Sequence, residues 1–318
     1  MIFPDDLSIG GLKRVRFPFV LTLLLAGSVL AGCETAGEEA ALEEQDISIS
    51  SIVHPEDADP DTIVLAERAL ADGRFEDAER LIERVIYTYP DDTRGHLIAA
   101  ELRLAQGNAP AAMPMFAQLL VDPQHAAEAK QGYGITLLLI GDEDLAASHL
   151  QEAVEKDPSL WRAWNALGAF YDSREDWTAA SISYKNALDI EPKQAYVQNN
   201  YGFSLFMQDR LDEAISALQK AFRLDPNSEL IKTNLRLAYA RKGQYVRALS
   251  GVQENEKARN LNNVGYIALL RGDYDEAESY FLRAMEADAR FNEVAWQNLN
   301  YLKSLRALDA TTKQVQVN

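Results

Sequence analysis

Side-chain amides return at one interval along this chain. Gln131, Asn165 and Asn199 stand 34 residues apart, Thr233 takes the next place, and Asn262 follows after 29. An amide column at repeating height can hydrogen-bond the backbone of an extended or helical peptide. Four residues beyond each lie Ile135, Ala169, Phe203, Leu237 and Tyr266, an apolar series that could floor such a site. This is the chemistry of recognition. Bond-breaking chemistry has no comparable signature. His54, His96, His125 and His149 share no metal-ligand spacing, and neither H-E-x-x-H nor G-x-S-x-G occurs. Gly132-Tyr133-Gly134 follows no strand and reads as a helix-packing position. The carboxylates are scattered, with no pair singled out. The sequence therefore predicts no enzyme, no cofactor and no metal. Cys33 is the only thiol in 318 residues, so disulfides cannot staple the fold.

The elements that carry the amides follow from a stronger period. Ala78, Ala112, Ala146, Ala180, Ala214 and Ala248 are each 34 residues apart, and Ala277 follows after 29. With each alanine at position 20, the units are 59–92, 93–126, 127–160, 161–194, 195–228, a short 229–257, and 258–291. Position 8 reads Ala66, Ala100, Gly134, Gly168, Gly202, Arg236 and Gly265. Small residues at positions 8 and 20 let two antiparallel helices approach closely. Pro90, Pro158, Pro192 and Pro226 close four units, because proline cannot continue a helix. Turns such as Gly141-Asp142 and Gly272-Asp273 join the helices.

A period of this length resembles the tetratricopeptide repeat (TPR), whose hairpins stack because one hairpin leaves its apolar face bare. Trp164, Leu167, Gly168, Tyr171, Ala180, Tyr184, Ala187 and Pro192 match that pattern nearly throughout. The expected fold is all-α, a TPR solenoid of about seven hairpins over 59–308. Residues 293–308, with Trp296, Leu299 and Leu302, are its capping helix, and 309–318 is a polar tail. The sixth unit should be the least regular. It lacks five residues and a closing proline, carries Gly251 in its second helix, and has Arg236 at the small position.

The resemblance implies a concave groove lined by the first helix of each hairpin. Gln131, Asn165, Asn199, Phe203, Thr233, Leu237, Asn262 and Tyr266 are then groove candidates for a peptide or an amphipathic helix. A plainer reading stays open, in which the apolar residues pack between adjacent helices and the asparagines serve helix ends. Arg162, Arg241 and Arg259 are the cations available to a carboxylate clamp, too few to favour acidic C-terminal tails as ligands.

Residues 1–32 read as a signal peptide. Lys13, Arg14 and Arg16 precede the 14-residue apolar stretch Phe17–Leu30, too short for a spanning helix of about 20 residues. Leu30-Ala31-Gly32-Cys33 resembles a bacterial lipobox. That resemblance implies cleavage before Cys33, a diacylglycerol on its sulfur and an acylated amine; the alternative is an ordinary signal peptide with a chance cysteine. Two or three acyl chains would anchor the protein, where one holds only weakly. In enteric bacteria an Asp after the cysteine favours the inner membrane, so Glu34 implies the outer membrane, facing the periplasm. Residues 33–58 hold eight acidic residues and no Lys or Arg, the composition of a disordered tether. The net charge of −18 argues against nucleic acid as a partner.

Lipobox, acidic leader and repeats together resemble the TadD-type Flp (tight adherence) pilus assembly lipoproteins. Trp164-Asn165-Ala166-Leu167-Gly168, Asn199-Asn200-Tyr201-Gly202 and Leu211-Asp212-Glu213-Ala214 carry that resemblance most closely. It implies a pilotin-like accessory that helps an outer-membrane secretin assemble for a type IVb pilus. Other roles open to a scaffold of this kind are outer-membrane barrel insertion, polysaccharide export and regulation of an envelope enzyme.

Overall fold

The computed structural model describes residues 60–287 and 292–316. The signal segment 1–32, Cys33 and the tether 33–58 lie outside the described residues. Helices pair in chain order: α1 (Pro60–Ala71) with α2 (Phe75–Thr88), α3 (Thr93–Ala105) with α4 (Ala109–Leu119), and α5 (Ala126–Ile140) with α6 (Glu143–Lys156). Then come α7 (Trp161–Ser173) with α8 (Trp177–Ile190), α9 (Ala195–Met207) with α10 (Leu211–Leu224), and α11 (Glu229–Arg241) with α12 (Tyr245–Ala248). The seventh pair is α13 (Lys257–Arg271) with α14 (Tyr274–Ala287), and α15 (Asn292–Gln316) follows. The fold is the expected all-α solenoid of seven hairpins and a terminal helix.

The small-residue code sets the packing. All seven position-20 alanines are fully buried. A Cβ on Gly134, Gly168, Gly202 or Gly265 would come within 2.6–2.9 Å of Leu150, Tyr184, Leu218 or Phe281 respectively. Each of those large side chains sits at position 24 on the facing helix and is buried in the space that glycine leaves. Between the two helices of every hairpin, one residue has positive φ. Five are glycines, Gly73, Gly107, Gly141, Gly243 and Gly272; Glu175 at +57° and Asp209 at +59° take the place in the fourth and fifth hairpins. The following helix is often side-chain capped, as by Asn108, Asp142 and Asp176.

Three features differ from the sequence reading. α12 ends at Ala248, so Gly251, at φ +69°, lies beyond the helix and not inside it. α15 runs to Gln316, into the segment read as a polar tail, because no Gly or Pro after Leu308 stops it. Leu299 and Leu302 of α15 are buried as a cap requires, but Trp296 is exposed and Ala295 takes the inward place.

Candidate peptide groove

First helices of successive hairpins touch one another: α1 packs on α3, α3 on α5, α5 on α7, α7 on α9, α9 on α11 and α11 on α13. The full-length second helices make no comparable contact among themselves. A stack that is close along one side and spread along the other must curve, with the first helices inside. Arg162 on α7 reaches past a whole hairpin to pair with Glu101 on α3 at 2.9 Å, which only the inner side of a curve allows. Trp161 and Tyr196 rings stand 5.3 Å apart beside that pair, and burial pushes the Tyr196 phenol well above its ordinary value.

The amides expected to face a ligand are spent on the stack itself. Gln131, Asn165, Asn199 and Asn262 are all buried, Asn199 completely. The Gln131 side chain accepts from the Ala163 backbone N–H at 3.0 Å. Asn200 donates to Asn165 at 3.1 Å, Asn234 to Asn199 at 2.9 Å, and Asn298 to Asn262 at 2.9 Å. Each bond joins one first helix to the next, and the last joins α13 to α15. The amide rail is thus corrected to an inter-repeat ladder, because a buried amide must be hydrogen-bonded and the nearest donors belong to the neighbouring helix. Asn200, Asn234 and Asn298 were missed as its other half. Their signal was a second spacing of 35 residues, Asn165 to Asn200 and Asn199 to Asn234, hidden beside the 34-residue period.

Phe203, Thr233, Leu237 and Tyr266 are only half-buried and remain on the inner face. The Phe203 ring stacks on Phe206 at 5.8 Å, and burial raises the Tyr266 phenol. Ile135 is half-buried too, whereas Ala169 is buried. What the inner face of the fifth to seventh hairpins offers is therefore apolar and aromatic surface, suited to side chains of a bound segment. The candidate clamp cations are already engaged: Arg162 with Glu101, Arg241 with Asp209 at 3.1 Å, and Arg259 with Glu256 at 2.6 Å.

One buried acid joins three helices. Asp172 at the end of α7 accepts from the Tyr184 hydroxyl of α8 at 2.9 Å and from the Ser204 hydroxyl of α9 at 2.6 Å. It is 8% exposed, and burial raises its pKa to about 6 against the lowering effect of the two hydroxyls. Among the described residues no group of three or more His, Cys, Asp and Glu could hold a metal ion, and no helix is long and apolar enough to cross a membrane.

Family models described as tetratricopeptide repeat match residues 63–195, 195–228 and 258–291. They leave 229–257, the shortened hairpin, between them. The chain is 29% identical over 181 residues to the type IV pilus assembly protein PilF of Pseudomonas aeruginosa, covering 55% of this chain and 71% of that protein. It is 28% identical over 157 residues to Superkiller complex protein 3 of Mus musculus, covering 48% of this chain but only 9% of that protein. Among solved structures, the APC/C hetero-tetramer Cut9-Hcn1 superposes with a TM-score of 0.57 at 16% identity, over 76% of this chain and 48% of that one.

Proposed function

We propose that this chain, which belongs to the tetratricopeptide-repeat family, is a lipid-anchored envelope scaffold that acts in type IVb (Flp-type) pilus assembly. In this reading Cys33 carries the lipid, the body faces the periplasm, and the protein works like a pilotin, holding a segment of an outer-membrane secretin. The segment, an extended peptide or an amphipathic helix, lies on the aromatic inner face at Phe203, Leu237 and Tyr266. The likeness to PilF carries this reading most, since it spans 71% of that pilus assembly protein. The lipobox at Leu30–Cys33 and the half-buried inner-face residues support it independently.

The test is secretin assembly in the native host. Cys33→Ser should move the protein out of the membrane fraction and lower the amount of assembled secretin there. Phe203→Ala with Leu237→Ala should lower secretin recovery on the purified scaffold while the helical signal persists. Membrane retention of the serine variant would refute the anchor. Undiminished secretin assembly in a strain lacking the protein would refute the pilotin role.

A further inference from the structure

The sixth hairpin is missing most of a helix, and the gap it leaves is lined for a guest. α12 has four residues where α10 and α14 have fourteen. The ten lost helical positions amount to about 15 Å of helix at 1.5 Å per residue, although the unit itself is only five residues short. In their place is a cleft of about 510 Å³ between α10 and α11. Gln219 and Phe222 of α10 form one wall; Lys232, Leu235, Arg236 and Tyr239 of α11 form the other, and Arg247 flanks it. The α11 wall is the surface that a full second helix of this hairpin would have covered. The cleft therefore lies on the side of the array away from the inner face.

Its chemistry differs from that of a merely eroded repeat. In the neighbouring hairpins position 8 is glycine and receives a large side chain from the second helix. Here position 8 is Arg236, and α12 stops before it can supply that side chain. The Arg236 side chain is only 13% exposed. Its polar contacts among the described residues are ion pairs to Glu229 and Glu256, both at 3.9 Å, beyond hydrogen-bond range. Neither carboxylate is within hydrogen-bond reach of the Arg236 guanidinium, whose planar fork can take carboxylate oxygens two at a time. Arg247 is exposed above the Tyr239 ring at 5.8 Å, and Lys232 adds a third cation beside the apolar strip of Phe222, Leu235 and Tyr239. Glu229 pairs with Lys232 at 2.6 Å and, like Glu256, stands beside Arg236, so the three cations outnumber the two carboxylates by one and leave the cleft net positive in a chain whose net charge is −18.

We propose that this cleft is a second docking site, which takes an acidic amphipathic helix of a partner protein and completes the sixth hairpin with it. The guest's apolar face covers Phe222, Leu235 and Tyr239, and its carboxylates meet Arg236 and Arg247. The site is separate from the inner face, so one scaffold can hold two partners at once.

The probe is a dye-labelled synthetic peptide with the sequence of α14, Tyr274–Ala287. It is itself a second helix of this array and carries Asp275, Glu276 and Glu278 beside Tyr280 and Phe281. Titrated against the full lipidated chain and followed by fluorescence anisotropy, it should bind saturably. A peptide with lysine at those three acidic positions should bind at least about tenfold more weakly, the scale of one lost charge-assisted contact. Arg236→Gln and Arg247→Gln should each weaken the acidic peptide by a similar factor, while Phe203→Ala on the inner face leaves it unchanged. Arg247 is exposed, so that variant keeps the test alive if Arg236→Gln does not fold. Absence of saturable binding, equal binding of the lysine peptide, indifference to Arg247→Gln, or loss of binding in Phe203→Ala would each overturn the proposal.

Discussion

Replacing Asp172 with asparagine should make the array's stability less responsive to pH, in a direction opposite to ordinary acid denaturation. The Asp172 carboxyl titrates at about 6 in the fold because burial penalises its charge, against roughly 3.9 in an unfolded chain. Folded protein therefore binds the extra proton between these values. The stabilisation is complete below the unfolded pKa and is lost as pH rises through about 6. At pH 5 the folded carboxyl is mostly protonated and the unfolded one mostly ionised, a difference of about 1.4 kcal/mol for one pKa unit. At pH 8 both are ionised and the term vanishes. The asparagine side chain keeps the shape, accepts from one hydroxyl and donates to the other, and never titrates. Relative to wild type, Asp172→Asn should therefore gain about 1.4 kcal/mol between pH 5 and pH 8, roughly 3–5 °C in melting temperature for an array of this size. Melting followed by circular dichroism at the two pH values measures it, since every other titrating group is common to both proteins. A variant-to-wild-type difference that is the same at pH 5 and pH 8 would refute the reasoning.

Three further outcomes follow from the packing. Gly168→Ala should cost about 1–3 kcal/mol, because its Cβ would lie 2.6 Å from a Tyr184 ring whose hydroxyl is tied to Asp172; an unchanged urea midpoint would show that the helices can part without penalty. Asn199→Ala should cost about 1–3 kcal/mol by orphaning the buried Asn234 donor, and a variant as stable as wild type would mean that the ladder does not hold the repeats together. Glu175→Gly should stabilise by about 0.5–1 kcal/mol by relieving a left-handed backbone on a side-chain-bearing residue; a loss of stability on chemical denaturation would show that Glu175 contacts outweigh that relief.

The period revealed the hairpins because packing constraints repeat with it. Position 20 must be alanine-sized and position 8 must leave room for position 24, so Ala146, Gly134 and Leu150 recur in step as Ala180, Gly168 and Tyr184. The same logic misread the asparagines. A polar residue that returns once per hairpin sits at one height on one helix face, and the sequence alone does not say whether that face meets solvent or the next hairpin. Helical geometry left both readings open for Asn165 and Asn199. Burial and the 35-residue partner spacing decide for the neighbour. Phe203 and Leu237, one turn further along, stay half-buried because they stand beyond the ladder, where adjacent first helices no longer cover them.

The sixth hairpin shows what happens when the rule at one position changes. An arginine at position 8 cannot coexist with a large residue at position 24, since both would claim the space that Gly168 yields to Tyr184 and Gly202 yields to Leu218. The shortened α12 and Arg236 are thus one change seen twice. A solenoid tolerates such a lesion because each repeat touches only its neighbours, so the cost stays local. Ala248 still fills position 20 and is fully buried, and α11 still packs directly on α13, which carries the stack across the gap. The array keeps its inner face continuous while its outer face is interrupted at one place, and that interruption holds Lys232, Arg236 and Arg247 in a chain whose net charge is −18.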